Sequence, residues 1–547
     1  MKNSRFTALA LGTVAALLLA GCAGAPRSEP NGTEASTPFD PANLTLSTPA
    51  GTKTVDHVSW GLHLGEPDTI DPVRVGNDSG YIAIANMCDT LFQIQPDFSI
   101  EPGLALSAGW TDDTTFVIEL RDGVTFWDGS PLTAEDVAFS LTRAADPESQ
   151  SVNTSAFEYV ENIRATGDLQ VTVTFTKTDF EFSNVIAGPA GYIFQKAFTE
   201  AVGEEEIGTA DGGVMCTGPF VFEKWIPGKS ILTTANENYW GGAPLVKELE
   251  YEFVSSDSTL ASALLAGEID GAFDVPAASG KNFESSDNGD LFIGPSTAAV
   301  RLGNTGQGPG ADPKLRRALI LAIDKDAFIS TVLHGYGAPL KSFVPPFLWQ
   351  GLEGAEIYQA GYDALPDTAQ NLDEAKALID EIGVPDKTLV LAIPAGDQQS
   401  LQSAVIVQAA GADLGVKIEI QQLQGTEFGR IFYDDSARVN YDLLITAGYI
   451  DTPGVLLYPS FFVKGDGLFN WSGWNNPAVD EAMEKARTTT DPIVSAEEFV
   501  KAQAIFAPDF LPLASQYTRV FLDKELTGVT TSFSYIASPW ALKLGAK

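Results

Sequence analysis

The chain has 547 residues, 44% of them hydrophobic, and its 33 basic and 72 acidic side chains leave a formal charge of −39. A surface this acidic argues against nucleic acid and anionic lipid as electrostatic partners and fits a solvated protein exterior. The length is enough for two or more hydrophobic cores.

Lys2 and Arg5 precede an apolar run over residues 6–20. The run is shorter than the roughly 20 residues that span a bilayer as a helix, so it reads as a removable secretory leader. It ends in Leu19-Ala20-Gly21-Cys22, which resembles a bacterial lipobox. That resemblance implies cleavage before Cys22, lipid on its sulfur and acylation of the new terminus. The alternative is an ordinary secreted chain with an incidental cysteine. Two or three acyl chains attach a protein stably where one is marginal. Removing 1–21 takes away Lys2, Arg5 and no acid, so the charge moves from −39 to −41. Residues 22–54, rich in Pro, Ser, Thr, Ala and Gly, are expected to form a flexible tether reaching on the order of 30 Å. No later segment has an uninterrupted apolar run of spanning length. The expected location is therefore the extracytoplasmic face of a bacterial cell membrane, with a lipid anchor as the sole attachment. The other two cysteines, Cys88 and Cys216, form an even pair outside the cytoplasm and suggest a disulfide, with two buried free thiols as the alternative.

Val55-Asp56-His57-Val58-Ser59-Trp60 alternates like a strand, and Glu66-Pro67-Asp68-Thr69-Ile70-Asp71-Pro72 breaks it into a loop. Residues 81–91 carry helical spacing. Residues 116–120 and 124–127 flank Asp122-Gly123 and predict a hairpin, ended by a second Asp-Gly at Asp128-Gly129. Thr133 caps a helix with Glu135 and Asp136 in its first turn and Val137, Leu141 and Ala144 on its buried stripe. Val171, Val173 and Phe175 share one face of a strand over 170–176. Further helices are predicted over 258–266, 313–323, 373–382, 401–414, 477–487 and 496–507. Further strands are predicted over 248–254, 388–393, 417–422 and 442–446. The pattern is mixed α/β without a short repeat, long enough for at least two lobes.

The three histidines, His57, His63 and His334, have no metal-ligand spacing, and neither an HExxH nor a paired-cysteine motif occurs. A phosphate-cradling G-x-x-x-x-G-K-[ST] loop and a G-x-S-x-G elbow are also missing. Residues 303–308, Gly-Asn-Thr-Gly-Gln-Gly, read as a loop because no apolar strand is evident before them and the next helix starts late. No catalytic residue, metal or cofactor is assigned. These absences favour a binder over an enzyme.

Eight stretches resemble, in order, the extracellular solute-binding proteins of ABC importers, family 5, the peptide-binding class. They are "EPDTIDP" (66–72), "NMCDTLFQIQPDFSIEPGLALSAGW" (86–110), "LRDGVTFWDGSPLTAEDVAFSLTR" (120–143), "CTGPFVFEKWIPG" (216–228), "NENYWGGAP" (236–244), "ALLAGEIDGAFDVP" (263–276), "DPKLRRALILAIDKDAFI" (312–329) and "YDLLITAGYIDTPG" (441–454). The likeness runs from about Trp60 to near the C-terminus. It implies an α/β, two-lobed periplasmic-binding-protein-like fold (type II, cluster C) with an extra small domain in the first lobe. The implied division is leader 1–21, tether 22–54, lobe I 55–95, small domain 96–210, lobe I again 211–300, lobe II 301–517, and lobe I 518–547, with crossings near Leu302 and Arg519. It also supports pairing of Cys88 with Cys216.

The resemblance implies a lipid-anchored, monomeric receptor that captures a solute between its lobes and delivers it to ABC permease subunits, with ATPase subunits acting indirectly. Peptide or oligopeptide is the expected solute. An oligosaccharide or a metal chelate is the alternative cargo, and a secreted hydrolase the alternative class. Peptide binders of this kind often carry an acid for the peptide ammonium at the position of Gly448, with a second acid at that of Asp451. The glycine departs from that pattern. Expected ligand-binding residues are Glu66 in the early loop, Tyr449 and Asp451 in the late one, and Trp471 and Trp474 as flat apolar walls.

Overall fold

The computed structural model describes residues 38–547. The leader, Cys22 and the first part of the tether lie outside the described residues. β1 (Val55–Leu62) places Val58, Trp60 and Leu62 fully out of solvent. It pairs in parallel with a later strand on each side, so its C-terminal half is buried on both faces.

The chain then passes through α1 (Asp78–Ile84) to a four-stranded antiparallel sheet built from β2 (Ala105–Asp112), β3 (Thr115–Leu120), β4 (Val160–Gly167) and β5 (Gln170–Phe175). α2 (Ala134–Ala145) packs against β4 and β5. Thr133 and Asp136 form the reciprocal cap that holds the start of α2. At its other end Arg143 clamps Asp71 with two 2.7 Å bonds, which ties the early Glu66–Pro72 loop to this small domain.

β6 (Phe220–Ile226), β7 (Ser230–Ala235), β8 (Val246–Phe253), β9 (Gly271–Ala272) and β10 (Gly289–Gly294) return to the sheet of β1. Residues 295–298 then cross to a six-stranded sheet of β11 (Ala299–Asn304), β12 (Gly337–Ala338), β13 (Leu389–Pro394), β14 (Ile418–Leu423), β15 (Leu443–Gly448) and β16 (Ala514–Gln516). This lobe also contains α3 (Pro313–Leu321), α4 (Leu457–Val463) and α5 (Pro477–Arg487). Tyr517 alone separates β16 from β17 (Thr518–Asp523), which rejoins the first sheet. The sheet orders are β10-β17-β9-β1-β8-β7-β6, β2-β3-β5-β4 and β12-β16-β11-β15-β13-β14. The crossings thus lie at 295–298 and Tyr517, a few residues before Leu302 and Arg519, because both of those residues are already inside strands.

Lobe II has its own apolar core, including Val300, Leu302, Leu319, Phe328, Leu391 and Leu443. Another core runs through lobe I and the small domain and takes in lobe II residues such as Phe343, Trp349, Phe499 and Phe506. In it Trp60 meets Trp540 at 4.4 Å between ring centroids and Phe273 stacks on Tyr535 at 4.0 Å. Cys88 and Cys216 are joined as a disulfide with their Cα atoms 4.9 Å apart.

Four local expectations are corrected. Residues 38–54 are not a free tether: Thr45, Thr48 and Gly51 donate backbone bonds to Ile293, Val529 and Lys543, and the Phe39 ring sits 6.2 Å from that of Tyr517. Their irregular pairing leaves no apolar period to read. Asp122-Gly123 makes a turn, with Gly123 at φ +78°, but no hairpin across it. β3 pairs instead with β2 and β5, because a turn residue fixes a local backbone bend and not the partner strand. The early helix starts at Asp78 under an Asn77 cap and ends at Ile84. Beyond it Asn86 and Asp89 face inward, and Asp89 accepts bonds from Thr217, Tyr239 and Trp240. Finally, a strand, β11, does lead into the glycine-rich stretch, although 305–308 form a loop as expected.

Among the described residues no helix is long and apolar enough to cross a membrane, and no group of three or more His, Cys, Asp or Glu is placed to hold a metal ion.

Candidate functional site

Side chains alternate along a strand, and β11 uses that alternation to divide two environments. Val300 and Leu302 are buried in the lobe II core and Arg301 points the other way; a cavity of about 430 Å³ is lined by Arg301 and, at the edge of that core, by Leu302. The volume falls within the range of small-molecule sites, about 300–1,000 Å³. β15 lies antiparallel to β11, with Arg301 opposite Thr446 and Ala299 opposite Gly448, and continues into Tyr449 and Asp451 on the cavity wall. Gly76, from the loop before α1, brings lobe I to the same wall.

The rest of the wall is largely aromatic. α4 presents Tyr458, Phe461 and Phe462. The chain then doubles back to bring in Phe469 and Trp471. The Trp471 ring lies 5.8 Å from both Phe432 and Phe469, edge-on to each, and the Arg438 guanidinium sits 4.6 Å from its centre. Such edge-to-face and cation–π contacts fix ring orientation, so the wall is organised before any ligand arrives.

Four charged groups interrupt the apolar lining: Arg301, Arg316, Asp451 and Asp509. Burial pushes the Asp451 carboxyl above the usual carboxylate range, opposed by its own and the Thr452 backbone amides and the Thr452 hydroxyl. Burial also pushes the Tyr449 hydroxyl well above the ordinary tyrosine range. Its ring meets Phe533 of lobe I at 5.2 Å, so this tyrosine both lines the cavity and touches the opposite lobe. Burial lowers the Arg316 guanidinium to about 10, against Asp509 and Asp312.

Of the residues expected from sequence, the structure brings Tyr449, Asp451 and Trp471 together. Trp474 stands behind the wall: its indole N–H donates to Asp509 at 3.1 Å and its ring meets Phe510 edge-on at 5.2 Å. Glu66 lies away from the cavity. It accepts bonds from Trp225 Nε1 at 2.8 Å and from the Gly228 amide at 3.0 Å, which fastens the early loop to the turn between β6 and β7. Arg301, Arg316 and the phenylalanines of 432–469 were not expected. Arg301 did leave a signal: a lone cation in the otherwise apolar run Ala298-Ala299-Val300-Arg301-Leu302.

A second set of contacts joins the small domain to the lobe II chain. Glu181 accepts the backbone N–H groups of Val455, Leu456 and Leu457 at 2.6–2.8 Å, and Leu456 has no side-chain cap of its own for α4. Arg487 at the end of α5 pairs with buried Asp179 at 2.7 Å and with Glu158 at 2.7 Å. Tyr159 donates to Glu484 at 2.8 Å.

The family model for bacterial extracellular solute-binding proteins, family 5 (middle region), matches residues 99–469, more than half of the chain. Protein XP55 of Streptomyces lividans is 27% identical over 482 residues, covering 84% of this chain and 83% of that protein. The glutathione-binding protein GsiB of Escherichia coli (strain K12) is 24% identical over 482 residues, covering 85% and 91%. Among solved structures, the oligopeptide-binding protein AppA of Bacillus subtilis, in complex with a nonapeptide, superposes with a TM-score of 0.76 at 19% identity, covering 90% of this chain and 99% of AppA.

Proposed function

The chain belongs to the bacterial extracellular solute-binding proteins, family 5, and on that premise we propose that it is the lipid-anchored receptor of an ABC importer. It holds one small solute in the cavity of Arg301, Tyr449, Asp451 and Trp471 and delivers it to membrane permease subunits driven by separate ATPase subunits. The observation that carries this reading is the cavity itself: a pre-organised aromatic wall with a few convergent charged groups, touched by both lobes. Tyr449 couples filling of the cavity to lobe contact, so a solute that binds the closed arrangement better than the open one drives closure. Anchoring rests on the likeness of Leu19–Cys22 to a lipobox. A peptide cargo is supported by the names of GsiB and of AppA, and the cavity volume suits a short peptide or another solute of that size. The enzyme alternative gains no support, since the family is one of solute-binding proteins.

Thermal unfolding of a Cys22→Ser chain that starts at residue 22, scanned against di- to octapeptides, N-blocked peptides, oligosaccharides and metal chelates, tests this reading. A solute at about 1,000 times its dissociation constant stabilises the folded state by about 4 kcal/mol. Trp471→Ala is expected to weaken that solute by roughly ten- to a hundred-fold, the range for loss of a packed aromatic anchor. A panel without a stabilising member, or a shift that Trp471→Ala leaves intact, contradicts the assignment.

A further inference from the structure

Arg301 is only 6% exposed, yet among the described residues it forms no ion pair with a carboxylate. Its Nη1 donates to the Tyr458 hydroxyl and its Nη2 to the Phe343 carbonyl at 3.3 Å, while Nε has no partner. The planes of Tyr458 and Phe343 flank the guanidinium at 4.6 and 5.1 Å. Burial pushes the group below the ordinary arginine range, and the Tyr458 hydroxyl is the group that opposes this. A buried cation with a free donor is costly unless an anion completes it. The fold also keeps room for this side chain: a Cβ at Gly448 would lie 2.3 Å from Tyr458 Oη and 2.9 Å from Arg301 Nη1. The position that would otherwise project a side chain into this corner is left empty so that the guanidinium can occupy it. Arg316 adds a second cation to the same wall, with a buried Nη2 that has no partner.

Building on the cavity assignment above, we propose that the solute is an amphipathic organic anion whose carboxylate is received by Arg301 while its apolar body lies on the Trp471–Phe469–Phe432 wall. A planar guanidinium and a carboxylate match in geometry, and the aromatic wall supplies the contact area for the remainder of the molecule.

The test uses matched pairs: di- and tripeptides as free acids and as C-terminal amides, and aryl and alkyl carboxylic acids from benzoate to decanoate with their primary amides. Binding is measured by calorimetry to the wild type, Arg301→Met, Arg301→Lys and Trp471→Ala. The expected result is at least one acid preferred over its amide by about thirty-fold or more, the low end for removing one member of a buried charge pair. In Arg301→Met that preference disappears, in Arg301→Lys part of it returns, and Trp471→Ala weakens acid and amide alike. Unchanged far-ultraviolet circular dichroism shows that each variant is folded. If Arg301→Met does not fold, an acid–amide preference that is smaller in a folded Arg301→Lys than in the wild type still supports the proposal, and an undiminished preference there overturns it. Equal binding of acid and amide, or no binding by any acid, overturns the anion assignment. If the amides bind and Trp471→Ala abolishes them, the cavity assignment stands without the anion. If tight binding is indifferent to both Trp471 and Arg301, the cavity assignment falls as well.

Discussion

Replacing Cys88 and Cys216 together by alanine is expected to lower the unfolding free energy by about 5 kcal/mol, the chain-entropy value for a loop of this length. The bridge spans a sequence separation of 128, and the loop it closes contains the whole four-stranded sheet, residues 105–175. One end lies in the turns after α1 and the other just before β6, so the bridge pins both ends of the small domain to lobe I. Both cysteines are almost fully buried. Guanidinium denaturation of the double variant and the wild type measures the effect. A large fall in the midpoint is the expected result, with solute binding retained under native conditions because neither residue lines the cavity. An unchanged midpoint contradicts the role given to the bridge.

The second large effect is expected at Arg487. Its guanidinium is buried beside Asp179, which is 1% exposed, and stacks 4.2 Å from the centre of the Tyr159 ring. Burial opposes its charge, but Asp179, Tyr159 and Glu158 outweigh burial and hold the group above the ordinary arginine range. Arg487→Met leaves Asp179 buried without its partner, which costs about 3–5 kcal/mol. The double variant Arg487→Met/Asp179→Leu removes both charges and is expected to recover most of that loss. The same contact joins the small domain to the lobe II chain that continues from α4, so Arg487→Met is also expected to weaken the solute, with the double variant restoring part of the affinity. Denaturation midpoints of the four proteins in this cycle provide the measurement. Single and double variants of equal stability contradict a paired charge.

Elements whose signal is local were legible in the sequence. The Thr133 cap and the Val137, Leu141 and Ala144 stripe define α2, and the alternation in 170–176 defines β5, because cap and period are properties of consecutive residues. α5 was legible for the same reason, with Pro477 at its first turn and Asn476 as cap. Partner choice was not legible. Asp122-Gly123 turns the chain, yet β3 meets β2 and β5, and only the packed sheet decides between those outcomes and a hairpin. Residues 38–54 carry no period, since their backbone bonds go one at a time to residues near 293 and 529–546. At the cavity, Tyr449 and Asp451 follow from the late stretch that resembles the family, and Trp471 from the flat apolar face of its ring. Trp474 and Glu66 show that an aromatic or acid near a matching motif can serve the scaffold instead. The Gly448–Arg301 relation needed three dimensions: the glycine shows in sequence as a missing acid, and the register of β11 against β15 reveals what fills its place.

In the proposed assignment, solute is held between Arg301, Tyr449 and Trp471. The most direct measurement is a crystal structure of the protein with the panel member that gives the largest thermal shift. Continuous ligand density is expected in the cavity, with an anionic group at Arg301 and the remainder on the Trp471 wall. Density outside this cavity, or a ligand that leaves Arg301 and Trp471 untouched, would contradict it.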